Sequence, residues 1–455
     1  MTSKAMTLSL EAKTFYRKMF FIGVPVVFQN LISIGLNLID SLMIGKLGEA
    51  EVAAVGAANQ VYFVYVVTLF GFYAGAAVHT AQYWGARDIP NVRKMLGIDY
   101  IVGTVFSLAV SIFAYIFAPT IMGWFSQDPI VIQLGVDYMR IACFSYVFSG
   151  LSMAISYNSR AIQNLTLPTI VNALALVLNA VLNYLLIFGV AGFPKMGVEG
   201  AAVATLTARI FEFIVMFAVI YLQKTHPFKT GPKQLFAFDF PFFIKVCRTA
   251  VPVVFSEFSW AGCVALIFMA YGKIGTEALA VAQVANTISD MLQSFFFGVG
   301  NAAVMLIGET LGQGNKELAY VNGKRAIRAT WVLNVVVTVL MLAVSKPATG
   351  FFNFDEATLE LMFHTLVMMA VLITPKMLAY IYVCGVLRAG GDTVFCMYLE
   401  IICNVLIQVP MAYFAVLVLH TSLPIAMALV TLADVVRIIL CVPRYRSKKW
   451  INIVT

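Results

Sequence analysis

Apolar stretches of about twenty residues, the length a helix needs to cross the hydrocarbon core of a bilayer, recur along the whole of this 455-residue chain with only short polar segments between them. A soluble fold cannot hide so many. With 61% of its residues hydrophobic and 11% charged, the chain takes lipid as its solvent, and backbone polar groups must be paired internally. Spans are expected near 20–44, 53–80, 96–119, 131–157, 168–191, 197–222, 245–271, 279–308, 326–346, 357–386, 394–418 and 423–443. Runs of this length favour helices over barrel strands. The fold class is therefore an all-α integral membrane protein of twelve transmembrane helices.

Lysine and arginine set the expected orientation, because loops rich in them stay in the cytoplasm. With the N-terminus inside, inner segments carry Lys4, Lys13, Arg17, Lys18, Arg87, Arg93, Lys94, Arg160, Lys224, Lys229, Lys233, Lys245 and Arg248. The series continues with Lys316, Lys324, Arg325, Arg328, Arg388, Arg437, Arg444, Arg446, Lys448 and Lys449, whereas outer loops hold only Lys46, Lys195, Lys273 and Lys346. Both termini are expected in the cytoplasm of a multi-pass protein of the plasma or inner membrane. The same asymmetry accounts for the net charge of +8, so binding of nucleic acid is not needed to explain it. Residues 1–18 are polar and no small-residue cleavage site follows the first apolar run, so the first span is expected to be retained. The seven cysteines lie singly in or beside apolar spans without CxxC spacing, and read as packing residues, with no disulfide or zinc site expected.

An internal repeat divides the chain. Val24-Pro25-Val26-Val27-Phe28 opens span one and Val251-Pro252-Val253-Val254-Phe255 opens span seven. The register then holds for Gly45 and Gly272, Gly48 and Gly275, Asn59 and Asn286, Gly71 and Gly298, and Gly85 and Gly312. After one inserted residue, Arg160-Ala161 answers Arg388-Ala389. Six spans per half is even, so the halves form two parallel, pseudo-symmetric six-helix lobes about an axis along the membrane normal. The divisions are an N-terminal segment (1–19), an N-lobe (20–222), a linker (223–244), a C-lobe (245–443) and a basic tail (444–455). Such halves suit a rocking transporter.

These residues resemble the multidrug and toxic compound extrusion family over nearly the whole chain. The carriers are PVVFQNLISIGLNLIDSLMIGKLG in span one, GARDIPNVRK after span two, PVVFSEFSWAGCVALIFMAYGKIGTEALA in span seven, and the paired SRAIQNLTLPTIVN and LRAGGDTVF. The resemblance implies cation- or proton-driven antiport exporting diverse, often cationic, amphipathic small molecules, with separate N and C lobes. No enzymatic activity and no cofactor beyond the coupling ion, H+ or Na+, are expected; the bilayer and the substrates are the partners, and a monomer suffices. A flippase of lipid-linked precursors, on a related fold, is the competing reading. It calls for more spans or a strongly basic cavity, and this chain offers Lys376 and Arg209 but no arginine cluster.

Charges within spans are costly, about 2.5–3.5 kcal/mol at a helix centre on insertion scales, which singles out Asp40, Glu257, Asp290 and Lys376. Asn30, Ser33, Asn37 and Asp40 follow at helical spacing and share a face; Asn172, Asn179 and Asn183 form a stripe in span five, and Thr205 is polar early in span six. A carboxylate among amide and hydroxyl oxygens could hold sodium, or could itself carry a proton; it could also simply tie helices together. Sodium at Asp40 is the only metal expected. The resemblance implies an N-lobe cation site at Asp40, Asn179, Asn183 and Thr205, with Asn183 an amide where many relatives have an aspartate. That departure favours a proton. In the second half, Asn286, Asp290 and Gln293 share a face of span eight, and Lys376 follows Pro375 in span ten. Either Glu257 or Asp290 is expected to pair with Lys376, or to exchange it for protons or cationic substrate; the resemblance places an acidic residue of span seven in the C-lobe cation or substrate region. Glu400 answers Asn172 in the repeat and is a further candidate for proton traffic. Arg209–Glu212 and Asp137–Arg140 are expected as local pairs, and the four histidines have no assigned role.

Overall fold

The computed structural model describes residues 2–223, 225–350 and 355–454. Lys224, one of the basic linker residues, and Thr455 of the tail lie outside them, as does the side chain of Lys4. The described chain is helical: α1 (Thr2–Gly45), α2 (Glu49–Gly85), α3 (Ile89–Phe125), α4 (Pro129–Ala142), α5 (Ser145–Ala161), α6 (Thr166–Phe188), α7 (Gly197–Leu222) and the short α8 (Pro232–Leu235) come first. After them come α9 (Phe240–Gly272), α10 (Thr276–Gly312), α11 (Lys316–Thr349), α12 (Glu356–Tyr380), α13 (Thr393–Ile401), α14 (Val409–Tyr413) and α15 (Leu423–Arg446). Eleven stretches among the described residues are long and apolar enough to cross a membrane, and the pair α4–α5 makes a twelfth.

That twelfth span, expected as one run near 131–157, is bent by 50° at residues 143–144. Two hydroxyls take main-chain carbonyls at the bend: Ser145 Oγ donates to Ala142 O at 2.6 Å and Ser111 Oγ to Cys143 O at 2.7 Å. With those carbonyls held from the side, the helix can break without leaving them bare in an apolar setting. A second departure is in α12, which continues as a π-helical stretch (Ile381–Leu387) and a 3-10 turn (Arg388–Gly390). Two more π stretches, Ile402–Gln408 and Phe414–Val418, flank α14.

The repeat is written into the backbone. Asp88 caps α3 and Asn315 caps α11, their side chains accepting from the N–H of Asn91 and Leu318 at 3.2 and 3.0 Å. Asp128 caps α4 and Asp355 caps α12 in the same way. Each satisfies a helix-start donor that would otherwise lack a partner. Gly48 and Gly275, equivalent positions, have φ of 154° and 155°, a conformation that residues with a Cβ rarely adopt.

Packing divides the chain into two compact units that do not follow the two halves of the repeat. One comprises Phe28–Thr80 and Asp88–Val246; the other comprises Met1–Val27, Ala81–Arg87 and Cys247–Thr455. The beginning of α1 and the end of α2 thus pack with the second half.

Candidate functional site

In the first unit Asp40, from α1, meets α6 and α7. Asn183 Nδ2 donates to Asp40 Oδ1 at 2.9 Å. The Asn179 amide, oriented to satisfy both of its ends, donates to Asp40 Oδ2 at 3.0 Å and accepts from the Thr205 N–H at 3.2 Å. Asn179 and Asn183 are buried, 8% and 2% exposed, while Asp40 is half-buried. Spacing explains the pair, since residues four apart on α6 stack on one face. Asn183 Oδ1 is buried with no partner, an acceptor directly beside the carboxyl group. The remaining positions on α1 are not part of this cluster. Asn37 is exposed, and among the described residues neither it nor Asn30 bonds Asp40 through its side chain.

About two turns earlier on α6, Asn172 Nδ2 donates to Glu212 Oε1 at 3.2 Å, and Arg209 pairs with the other oxygen of Glu212 at 2.7 Å, as expected. Arg209 is also within electrostatic reach of Asp40. Tyr138, from α4, faces Thr205 and Asp40, with its hydroxyl 3.4 Å from Asn59 Oδ1. Asp137 accepts from Gln133, and Arg140 lies over the Tyr115 ring, so the expected Asp137–Arg140 pair is not formed. At i,i+3 on an exposed turn, a ring face in a neighbouring helix competes well with a solvated carboxylate.

The second unit holds a different arrangement. Glu257 (α9) does not pair with Lys376. Its Oε1 is 2.7 Å from Arg388, which also reaches Glu400 Oε2 (α13) at 2.7 Å. Arg388, counted as a loop charge from the sequence, is 7% exposed; the π stretch before it turns its side chain inward. A buried guanidinium between two carboxylates offers its planar fork to both, an arrangement a lysine cannot reproduce. Beside it, Asn404 bridges Ser259 at 3.2 Å and Arg437 at 2.7 Å, and Arg437 pairs with Asp434. Lys376 lies within electrostatic reach of Asp290 and Asp434, but makes no ion pair among the described residues. Asp290 is exposed and accepts from Gln293 at 3.2 Å, and Asn286 donates to the carbonyl of Ala282 in its own helix. The structure therefore brings together Asp40, Asn179, Asn183 and Thr205 in one place and Glu257 with Glu400 in another, and leaves Asp290, Asn286 and Lys376 apart from both.

Arg388, Arg437, Asn404 and Tyr138 escaped the sequence reading as site residues. A signal was present for the arginines: Arg160 and Arg388, and Arg209 and Arg437, recur at one spacing in the two halves. In the first unit Arg160 bonds Gln29 Oε1 at 2.8 Å and lies over the Tyr157 ring.

The MatE family model matches residues 25–185 and 252–414, the greater part of both halves. The chain belongs to the MATE family. Its members are transporters, not enzymes. Among relatives, a probable multidrug resistance protein NorM of Agrobacterium fabrum is 28% identical over 305 residues, covering 66% of this chain and 64% of that one. An uncharacterized transporter of Bacillus subtilis, YisQ, is 26% identical over 457 residues, covering 97% and 96%. Among solved structures, the Vibrio cholerae MATE transporter VcmN in its bent form superposes with a TM-score of 0.86 at 15% identity, covering 97% of this chain and 99% of that one. At that identity the likeness is one of fold.

Proposed function

We propose that this MATE protein is a proton-coupled multidrug exporter of the inner or plasma membrane with both termini in the cytoplasm. It exchanges protons entering at Asp40 for amphipathic, mostly cationic small molecules by alternating access between its lobes. The observation that carries this reading is the Asp40 cluster. Asp40 is its sole carboxylate, both its oxygens accept from neutral amides, and an unpartnered amide oxygen sits alongside. Ionised, Asp40 is a half-buried charge stabilised by amides; protonated, it is neutral and has an acceptor for its new O–H. Changing the charge of one group in a packed apolar setting biases which helix arrangement is preferred. Sodium, a hard cation, would want several oxygens and more negative charge around it, and Asp40 is the one anionic group this cluster offers. Names of relatives that are multidrug resistance proteins support the substrate class. Glu257, held with Glu400 by Arg388, serves in this reading as a fixed ion pair lining the second lobe.

The test is efflux of a cationic dye from reconstituted vesicles with a pH or a sodium gradient imposed separately. A pH gradient alone is expected to drive efflux, and Asp40→Asn to abolish that dependence. Efflux driven only by sodium, or a pH-driven rate unchanged in Asp40→Asn, would falsify the proposal.

A further inference from the structure

Within the second unit the end of α2 crosses the end of α10 at positions that are equivalents in the repeat. Ala81 faces Gly308, a Cβ on Gly85 would meet the carbonyl of Glu309, and a Cβ on Gly312 would meet the carbonyl of Gln82. Ala81 and Gly308, Gln82 and Glu309, and Gly85 and Gly312 share one spacing, so the contact is self-complementary in the manner of a two-fold interface. Such a crossing brings backbone directly against backbone. Lys18 of α1 pairs with Glu309 at 3.2 Å, and α1 and α10 touch at Gly23 and Gly298.

The segment after α15 turns back onto this crossing. Trp450 is fully buried, its indole N–H donates to Tyr445 O at 3.1 Å, and its ring stacks on Tyr445, which stacks on Tyr320. Asn452 N–H donates to Gly390 O at 3.0 Å. The side chain of Gln82 makes the last connection: Nε2 donates to Asn452 O at 3.1 Å, and Oε1 accepts from Val454 N–H at 2.8 Å. Gln82 is fully buried, and its amide is satisfied at both ends by main chain that has no regular structure of its own.

We propose that residues 452–454, anchored by the buried Trp450, are a latch on the terminus-bearing side of the transporter, docked on Gln82 while the α2–α10 crossing is closed and released when it opens. This rests on the alternating-access mechanism proposed for the exporter. Two side-chain-to-backbone bonds are weak enough to break in every cycle and strong enough to bias it.

The readout is the reaction of a single cysteine, Ala81→Cys in an otherwise cysteine-free protein, with a membrane-impermeant maleimide offered from the terminus-bearing side. Ala81 is 1% exposed, so labelling reports opening of the crossing. Gln82→Ala, and separately removal of residues 452–455, are each expected to speed labelling about three- to tenfold, the factor that loss of one or two net hydrogen bonds allows. A parallel protein retaining only Cys263, 3% exposed within the same unit, should stay unreactive in both backgrounds. Unchanged labelling at position 81, or equal gains at Cys263, overturns the latch. Labelling needs no transport, so absence of gradient-driven efflux beside the expected labelling gains counts against the exporter reading alone.

Discussion

Arg388 pairs with two carboxylates at once. Its guanidinium is 8% exposed and each partner 13%, so the trio is largely withdrawn from water, and the value of the arrangement lies in what removing one member would expose. Arg388→Ala leaves Glu257 and Glu400 facing each other without a counter-ion, and should cost about 3–5 kcal/mol, seen as a marked fall in the thermal unfolding midpoint in detergent. Adding Glu257→Gln and Glu400→Gln to Arg388→Ala is expected to recover most of that loss; no recovery would show that the arginine acts through packing rather than charge. How much of this was readable in the sequence differs residue by residue. Asp40, Asn179 and Asn183 were legible because helical spacing aligned them and the family resemblance named their places. Asn37 shares the spacing, yet spacing fixes a face and not a depth, and the structure leaves it exposed. Arg388 was misread because a basic residue at the end of an apolar run looks like a loop charge. One of its partners, Glu257, is 131 positions away, beyond any local pattern.

Helix irregularities decide where these side chains point. The π stretches at Ile381–Leu387 and Ile402–Gln408 precede Arg388 and contain Asn404; each wide turn rotates the residues after it relative to a regular helix. Nothing in a run that is apolar on every side marks such a turn, because periodicity has no polar face to be displaced from. The linker offers an element whose behaviour is set by one ring. His226 is 5% exposed; its Nδ1 accepts from the N–H of Phe228 at 3.2 Å, and its Nε2 is 3.2 Å from the Asn164 amide. Burial holds its pKa below the ordinary 6.5. The packed linker therefore keeps His226 neutral while a released linker takes up a proton, so acid favours release. Protease cleavage within residues 225–231 is expected to be slow and flat above about pH 6.5 and to accelerate below it. His226→Asn should remove the pH dependence, and a wild-type cleavage rate independent of pH between 5 and 8 would refute the assignment.

At the scale of the molecule, the repeat was the most legible feature. Hydropathy, loop charge and register each pointed to twelve helices in two matched halves, and the paired caps at Asp88 and Asn315 and at Asp128 and Asp355 repeat that register in the backbone. The chemistry is not duplicated with it. Asp40 answers Ile267 and Glu257 answers Asn30, so neither carboxylate has an acidic counterpart in the other half. The compact units were not legible, because a repeat reports ancestry while packing reports contact. Their division has a consequence for how the protein is made. Residues up to Val27 leave the ribosome well before α10, against which they complete their packing, and the end of α2 leaves it well before its partners, residues 452–454. An insertase must therefore keep the first two helices unfinished in the bilayer through most of translation. Ribosome-stalled chains ending at residue 231 should accordingly show the start of α1 open to cross-linking by lipid or chaperone, and protection should arrive only in chains long enough to bring α10 out of the ribosome.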